Sequence, residues 1–507
     1  MVSVGYQSLP GEDPDLDPGN QLTESSNQLI GSHVQISRRV SSSSATVLNF
    51  IPSYPCTPSR GFKRPCLIAF CVISTLAMLG FTQHIVDIRR TPIHPPNPLT
   101  EEKNMINFMN MIRGEEGSID QGEEEDEKNH LPNSVEKVEK EAKVPNNTCS
   151  TPATKVGFLK THKTASSTLQ NIIFRYGLEQ NWNFVMYPEG SHLGPPYNQY
   201  NLNRPFNSTW MNQVPWKPLV DAQISQGYNA FSLHSMWSKK EVKKILGEDA
   251  VYFTILRNPV DAFESLYNYV HFENNFKMNL ETFIQLYIKN DIPVRRVHGY
   301  LGRNQQFWDL GRFASELTSV EEVRKKILEI EKEFDLVMIS EDFESSLVLL
   351  SQQLCWPLNK FSSLPLNSRK ASAVQVLSDK SRKLLKDWLW AEDMLYTYFR
   401  GILIKRKQEY GEEEIIKQKA KLRSLNNEVM KQCVENMSSK SEDLDPGFKP
   451  WSKDVLGFKI NQTIPWCRYY ALSEITFIDF LREQQLNRYE EFISKSESKF
   501  TDHDNHP

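Results

Sequence analysis

The stretch Val156–Leu169, VGFLKTHKTASSTL, decides the fold, because it combines a short apolar run, a polar loop and the start of a helix. The run Val156–Leu159 has the length of a buried strand. The apolar residues that follow the loop recur at the i, i+3, i+4, i+7 spacing of a helix face: Leu169, Ile172, Ile173 and Tyr176. Free amides and the helix dipole at such a helix start favour an anion, and the hydroxyls and lysines add donors. The stretch therefore predicts an anion site at the end of a strand.

The loop is not a Walker A motif, because the pattern G-x-x-x-x-G-K-[ST] is absent from it. An ordinary kinase or nucleotidase is accordingly disfavoured. Ala165 leaves the main chain accessible beside the hydroxyl residues Ser166, Ser167 and Thr168. Taken alone, the loop is also compatible with a helix that is capped by Ser or Thr and holds no ligand.

Strands and helices alternate along the rest of this region. Ala250–Leu256 is the clearest strand, and Phe334–Ile339 is another, followed by an amphipathic stretch through Leu350. Residues 378–430 have a helical pattern with a charged second half. This alternation predicts an α/β fold with a parallel central sheet.

A second anion site is predicted where the strand Ala250–Leu256 ends. Arg257 follows that strand, Pro259 is suited to open a helix, and Ser265 lies two turns further on. The guanidinium and the hydroxyl can converge on a phosphate, although a salt bridge and an exposed serine would explain them if seen alone. Two strand-end sites in one domain indicate a ligand with two separated anionic groups.

Composition narrows the class of protein. A formal charge of -4 on 507 residues argues against a nucleic-acid-binding protein, which normally carries a basic excess. None of the seven cysteines forms a C-x-x-C pair, so a zinc or redox site has little support. One or two disulfides are expected downstream if that part is in an oxidising compartment, with Cys433–Cys467 as the preferred pair.

Residues 66–86, CLIAFCVISTLAMLGFTQHIV, are predicted to be a transmembrane signal anchor. At ~1.5 Å per residue they span about 30 Å, enough for the bilayer core. The segment begins too late for a cleaved signal peptide, while a buried core helix is the alternative. The N-glycosylation sequons all follow this segment, at Asn146, Asn207, Asn436 and Asn461. A luminal body anchored in the Golgi membrane as a single-pass type II protein is therefore expected.

The expected organisation has five parts. Residues 1–65 form a disordered cytoplasmic tail, residues 66–86 the anchor, residues 87–150 a luminal stem, residues 151–490 the catalytic domain, and residues 491–507 a flexible tail. The acidic run 115–127 in the stem is interpreted as a solvated spacer rather than a site for a basic partner.

Several blocks together resemble a known family. FLKTHKTASSTLQNIIFRYG and RNPVDAFES are similar to the 5′-phosphosulfate and 3′-phosphate loops of sulfotransferases that use 3′-phosphoadenosine-5′-phosphosulfate (PAPS). With RNQQFWDLG (Arg303–Gly311), LVMISEDFESSLVLL (Leu336–Leu350) and LNSRK (Leu366–Lys370), they resemble the galactose 3-O-sulfotransferase family, which includes galactosylceramide sulfotransferase. The resemblance covers residues 155–400 well and extends loosely to about residue 486.

The resemblance implies a P-loop-like, three-layer sulfotransferase fold, here preceded by one transmembrane helix. It implies transfer of a sulfuryl group from PAPS, without a metal, to the 3-hydroxyl of a terminal β-galactose on a glycolipid or glycoprotein. The expected partners are that acceptor, the Golgi membrane and a second copy in a homodimer. Alternatives are a sulfotransferase for another sugar position and a luminal glycan-binding protein with impaired catalysis.

The resemblance also assigns roles to residues. Lys163 is placed beside the oxygen that leaves sulfur, and Arg257 and Ser265 hold the 3′-phosphate. Lys160 is either a second donor or a surface lysine, and Arg369 with Lys370 either closes over the nucleotide or forms a plain surface pair. The remaining donor-binding residues of the loop are Thr161, Thr164, Ala165, Ser166, Ser167 and Thr168.

Two histidines compete for the role of general base, His162 in the loop and His234 in AFSLHSMWS. Family members commonly carry a histidine pair followed by Met-Arg-Phe at the second place. Here Ser235 replaces the second histidine and Trp237 replaces the arginine, which puts His234 in doubt and suggests altered acceptor contacts. Trp237 and Trp308 are candidates to stack on a sugar, with core packing as the default.

Overall fold

A computed structural model of the chain describes residues 98–114, 151–212, 227–438, 440, 444, 447 and 454–503, with the main chain alone for residues 98 and 491–503. The predicted cytoplasmic tail, the predicted anchor, the acidic run 115–127 and Asn146 lie outside these residues. Within the described part, every helix is too short or too polar to cross a lipid bilayer.

Among the described residues, four parallel strands form the central sheet in the order β2-β1-β3-β4. The strands of this sheet are β1 (Val156–Leu159), β2 (Ala230–Phe231), β3 (Val251–Leu256) and β4 (Leu336–Ile339). A separate antiparallel hairpin consists of β5 (Val434–Ser438) and β6 (Gly457–Ile460). The helices are α1 (Pro98–Arg113), α2 (Ser166–Glu179), α3 (Lys239–Leu246), α4 (Pro259–Tyr269), α5 (Phe272–Phe276), α6 (Leu280–Phe283), α7 (Gln305–Asp309), α8 (Val320–Glu333), α9 (Phe343–Leu354), α10 (Asp379–Trp388), α11 (Trp390–Tyr410), α12 (Glu412–Cys433), α13 (Arg468–Ala471) and α14 (Glu474–His503).

The sheet confirms the predicted α/β class and its parallel strands. All residues of β1 are buried, as expected for a parallel strand covered on both faces, which reads as a continuous apolar run. Gly157 in β1 pairs with Phe231 and Tyr252 on the neighbouring strands. A Cβ atom at position 157 would lie 2.4 Å from the Tyr252 ring, so only glycine fits between these strands.

Helix α1 falls within residues 87–150, which the sequence analysis predicted to be a stem, and it instead packs against α11 of the folded body. Its side chains Met109 and Ile112 are buried in the main hydrophobic core. The two helices approach closely at Gly401, where a Cβ atom would lie 2.7 Å from the main-chain oxygen of Met105. Part of the predicted stem is thus a structural element of the body.

A disulfide between Cys433 and Cys467 joins the end of α12, directly before β5, to the segment between β6 and α13, and so links the two ends of the hairpin β5–β6. This confirms the preferred pairing, and Cys355 is disulfide-bonded as well. The segment that leads into β6 also contacts the body, because Val455 forms an antiparallel bridge with Arg369. The disulfide-linked region around the hairpin β5–β6 therefore supports Arg369, which was predicted to lie near the nucleotide.

Helix α14 extends to His503, so a helix covers most of the stretch 491–507 that was predicted to be flexible. The side-chain amide of Gln485 exchanges two hydrogen bonds with the main chain of Phe184, at 2.7 and 3.2 Å. Arg482 donates to the main-chain oxygen of Tyr187 at 3.0 Å. These contacts attach α14 to the body and place its first residue, Glu474, beside the loop after β1.

Candidate active site

The loop between β1 and α2 has an irregular main chain at the helix start. Lys163 and Ala165 both have left-handed backbone angles, with φ of 61° and 67°. Ala165 is the N-cap of α2, and no side chain caps the first turn. Since uncapped amides and the helix dipole favour negative charge, this start of α2 is suited to receive an anion. The predicted strand, loop and helix are all present here.

Three hydroxyls that the sequence analysis assigned to the ligand brace the loop itself. Thr161 donates from Oγ1 to the main-chain oxygen of Ile255 at 2.6 Å, which ties the loop to β3. The hydroxyls of Thr161 and Thr164 lie 2.8 Å apart, and Ser166 donates to the main-chain oxygen of Thr161 at 2.6 Å. These side chains hold the shape of the loop.

The hydroxyl of Ser167, in contrast, contacts residues from the carboxyl-terminal part of the chain. Ser167 receives a hydrogen bond from Asn367 at 3.0 Å, and its Oγ lies 3.4 Å from a carboxylate oxygen of Glu474. Thr168 is buried in the first turn of α2. The segment LNSRK therefore lies against the anion loop, as expected if it helps to enclose a nucleotide.

Four cationic side chains converge at this loop. Arg257, at the end of β3, donates from Nη1 to the main-chain oxygen of Lys163 at 3.0 Å. The Lys163 ammonium lies 3.7 Å from the centre of the Tyr269 ring. Its burial, with smaller contributions from the positive charges of Arg369, Lys160 and Arg257, lowers the pKa of Lys163 to about 7. A buried lysine beside three further cationic side chains suits a polyanionic ligand.

Two carboxylates partly neutralise this cluster. Glu474 accepts from the Lys160 ammonium at 2.9 Å, and Lys160 is only 3% exposed, so it is not a surface lysine. Glu264 holds the guanidinium of Arg369 through both oxygens, at 2.5 and 3.1 Å, and the side chains of Arg369 and Glu264 are only 9% and 5% exposed. Arg369 is thus not a plain surface residue either. Ser265 follows Glu264 on α4 and is buried, close in sequence to this ion pair.

The two candidate histidines have different partners. Nδ1 of His162 lies 2.8 Å from Oδ1 of Asp309, whereas Nε2 of His234 lies 2.8 Å from the Lys160 ammonium. Their rings stack with centroids 4.5 Å apart, and His192 stacks on the other side of His234 at 5.1 Å. The structure therefore brings both histidines to the cationic loop but gives a carboxylate only to His162.

Burial and nearby positive charge also make His234 and its neighbour His192 difficult to protonate. Burial, followed by the charges of Lys160 and His162, holds the pKa of His234 well below its usual range. Burial and the same two groups lower the pKa of His192 to about 3. A histidine that cannot easily take a second proton is a poor general base, which argues against His234 in that role.

Comparison with known proteins gives the class of enzyme. Residues 127–485 match the protein family described as galactose-3-O-sulfotransferase. The chain is 31% identical over 353 residues to galactose-3-O-sulfotransferase 2 of Sus scrofa, covering 66% of this chain and 85% of that protein. It is 29% identical to the galactosylceramide sulfotransferase of Bos taurus over 343 residues, covering 64% of this chain and 78% of that protein. The chain belongs to the galactose-3-O-sulfotransferase family.

As a member of this family, the protein is a carbohydrate sulfotransferase that acts on galactose. Neither tryptophan considered for sugar stacking is open to a sugar in this member of the family. Trp237 is buried and donates to Glu333 at 3.1 Å, while Trp308 is buried and donates to the main-chain oxygen of Leu202 at 2.9 Å. Both pack in the core, which was the default expectation.

Several site residues of this family member escaped the sequence analysis. Asp309 lies in the quoted block RNQQFWDLG, which contributed only to the family resemblance and was given no role in the site. Glu264 lies beside Ser265, and Glu474 starts a helix far along the chain. A helix-start signal marks Glu474, because Ser473 before it accepts from the Thr476 amide at 3.4 Å, but nothing local indicates that it contacts Lys160.

The predicted glycosylation sites that the structure describes are accessible. Asn436 is exposed on β5, and Asn207 and Asn461 are partly exposed. In these last two sequons the asparagine side chain accepts from the hydroxyl two residues later, at 2.8 and 2.6 Å. Within the described ranges, no group of three or more His, Cys, Asp or Glu side chains is placed to hold a metal ion.

Proposed function

We propose that this galactose sulfotransferase uses PAPS as donor and modifies the 3-hydroxyl of a terminal β-galactose on a glycolipid or glycoprotein. The observation that carries the proposal is the convergence of Lys160, Lys163, Arg257 and Arg369 on an uncapped helix start. PAPS has a 5′-phosphosulfate and a separate 3′-phosphate, and the ends of β1 and β3 provide two adjacent anion sites for them.

The proposed reaction is an in-line displacement at sulfur. The galactose oxygen forms a bond to sulfur while the bond from sulfur to the bridging phosphate oxygen breaks, and the 3′,5′-bisphosphate leaves. Negative charge grows on that bridging oxygen, so a fixed ammonium at Lys163 stabilises the transition state more than the ground state. The proton of the sugar hydroxyl passes to Nε2 of His162, whose other nitrogen is bonded to Asp309.

His234 has a supporting role in this proposal. Its Nε2 lone pair faces the Lys160 ammonium, and Glu474 accepts from the same ammonium. Both contacts fix the position of Lys160 beside the donor, and Glu474 also offsets part of its charge. The lone pair that His234 would need as a base is already engaged.

A transfer assay tests the proposal. The full-length protein, purified in detergent, is incubated with labelled PAPS and a panel of galactosides, and mass spectrometry locates the modified hydroxyl. We expect sulfate on the 3-hydroxyl of terminal β-galactose and no transfer by Lys163→Ala at an unchanged melting temperature. Full activity of Lys163→Ala would refute the mechanism, and sulfate at another position would refute the acceptor assignment.

The same assay distinguishes a second candidate, a glycan-binding protein with impaired catalysis. The departure at Ser235 and Trp237 favours this alternative, because the family's arginine is replaced by a buried core residue. Binding of galactosides without any sulfate transfer by the wild-type protein is the result that supports it.

We further propose that the protein is a type II membrane protein of the Golgi with a luminal catalytic domain. The Cys433–Cys467 disulfide and the accessible sequon at Asn436 support a luminal location, since disulfides persist in oxidising compartments. Removal of N-glycans should increase the electrophoretic mobility of the protein from cells. An unchanged mobility, with the body digested by protease in sealed microsomes, would contradict this placement.

A further inference from the structure

We infer that Asp309 is a positioning residue that fixes the tautomer of His162 and so makes it a general base. The inference rests on the proposed function, in which His162 accepts the proton of the sugar hydroxyl. It concerns a residue to which the sequence analysis assigned no chemical role.

Asp309 binds His162 through both carboxylate oxygens. Oδ1 lies 2.8 Å from the ring Nδ1, and Oδ2 accepts from the main-chain amide of His162 at 2.7 Å. One side chain therefore sets both the orientation of the ring and the path of the loop. Asp309 is 2% exposed, and His162 is 8% exposed, so water competes little for these bonds.

The carboxylate is itself held in place. Gln305, one helical turn earlier on α7, donates from Nε2 to Oδ1 of Asp309 at 2.9 Å. The side-chain oxygen of Gln305 accepts from the Gly302 amide at 2.9 Å, which fixes which end of its amide donates. The main-chain oxygen of Asp309 accepts from the Trp237 amide at 2.8 Å. These contacts fix the orientation of the carboxylate.

This geometry determines where the imidazole carries its hydrogen. An ionised carboxylate only accepts hydrogen bonds, so the ring must donate from Nδ1. The lone pair of the neutral ring is then on Nε2, and the carboxylate stabilises the imidazolium that forms when Nε2 takes the proton. His234 lacks such a partner, because its Nδ1 is buried without a hydrogen bond among the described residues.

Other groups also act on this pair, mostly with positive charge. The charged and titratable neighbours are Lys160 and Lys163 from the loop after β1, His192 and His234 from the loops beside β2, Tyr300 and Arg296 from the segment before α7, and the carboxylate Glu392 of α11. Of the two carboxylates, Asp309 is the one that bonds directly to the ring and to the main-chain amide of His162.

The experiment compares kcat/KM of wild type and Asp309→Asn across pH, with full-length protein in detergent. We expect a loss in kcat/KM of about 10²- to 10⁴-fold, the usual contribution of general base catalysis. The affinity for the bisphosphate product should stay within about threefold of wild type. Asp249→Asn is the matched control, since Asp249 is exposed at the other end of β3 and pairs only with Lys155 among the described contacts.

A double-mutant cycle separates positioning from a purely structural role. If Asp309 acts through His162, Asp309→Asn should have little further effect on kcat/KM once His162 is replaced by Ala. A further loss of kcat/KM in that background would overturn the inference.

Ring ¹⁵N chemical shifts give a readout that does not need turnover. His162, assigned by comparison with His162→Gln, should be the Nδ1–H tautomer in wild type and not purely so in Asp309→Asn. Wild-type protein that has this tautomer but transfers no sulfate would refute the proposed function and leave the role of Asp309 in fixing the tautomer intact. Active wild-type protein in which His162 is the Nε2–H tautomer would refute the inference and leave the proposed function intact.

Discussion

The guanidinium of Arg257 donates to the main-chain oxygen of Lys163 at 3.0 Å, and this bond joins the two predicted anion sites. Arg257 ends β3 and Lys163 lies in the loop after β1, so the contact bridges neighbouring strands of the sheet. A nucleotide with charges at both ends would therefore meet one connected set of donors. The residue proposed for the 3′-phosphate also shapes the loop proposed for the phosphosulfate.

Replacing Arg257 with Ala should weaken binding of the 3′,5′-bisphosphate by about 10- to 100-fold. Hydrogen bonds to charged groups contribute ~1.5–3 kcal/mol, and the variant loses them together with the brace on Lys163. Isothermal titration calorimetry measures the change. Arg423→Ala, which removes an exposed arginine paired with Glu344, is the control and should bind normally. Equal affinities for both variants would contradict the assignment of Arg257.

Binding of the bisphosphate should take up protons near neutral pH. The pKa of Lys163 is lowered to about 7, so its ammonium is partly deprotonated at pH 7.5 in the free protein. A bound anion favours the charged form and raises that pKa, so protons are bound together with ligand. Affinity should consequently fall as the pH rises from 7 to 9.

Calorimetry in buffers of different ionisation enthalpy measures this proton uptake. Lys163→Ala should bind the bisphosphate more weakly and take up fewer protons at pH 7.5. Lys440→Ala, which changes an exposed lysine, should behave as wild type. Proton uptake that is unchanged in Lys163→Ala would show that another group titrates.

Replacing Glu264 with Gln should lower the free energy of unfolding by about 3–5 kcal/mol. The variant leaves the buried guanidinium of Arg369 without its carboxylate in a region that already carries Lys163 and Arg257. Chemical denaturation measures the loss. Saturating bisphosphate should restore part of it, because the ligand supplies the missing negative charge. A loss of similar size that the ligand does not reduce would argue that Arg369 does not face the nucleotide.

Helix α1 should contribute to the stability of the body. Met109→Ala removes a side chain that is fully buried against the core and should cost about 2–5 kcal/mol in the free energy of unfolding. Met111→Ala changes a methionine on the same helix that is 60% exposed and should cost less than about 0.5 kcal/mol. Equal small effects from both substitutions would show that α1 is detached from the body in solution.

The central sheet and the anion loop could be predicted because their signals are local. The apolar run Val156–Leu159, the helix periodicity after it and the hydroxyl-rich loop between them all lie within about twenty residues. Arg257 was recognisable for the same reason, since it directly follows a strong strand. Parallel strands place their carboxyl ends at one edge of the sheet, so the convergence of these residues followed from the fold class.

The partners of these residues could not be predicted, because they come from distant parts of the chain. Glu474 contacts Lys160 across more than 300 residues, and Asp309 contacts His162 across 147. The choice between the two histidines depends on these contacts, so it stayed open. Helix α1 was overlooked because its short apolar spacing precedes a long acidic run, whose composition dominated the interpretation as a stem.

The cross-link between Cys433 and Cys467 has a consequence for where this enzyme matures. It secures the hairpin β5–β6, and the strand bridge from Val455 to Arg369 runs from the segment next to that hairpin. A chain made under reducing conditions would lack the covalent link behind Arg369, one of the arginines that we propose face the nucleotide. The redox state of the compartment therefore affects assembly of the site. Copies retained in the cytosol would transfer sulfate poorly even with every catalytic side chain intact.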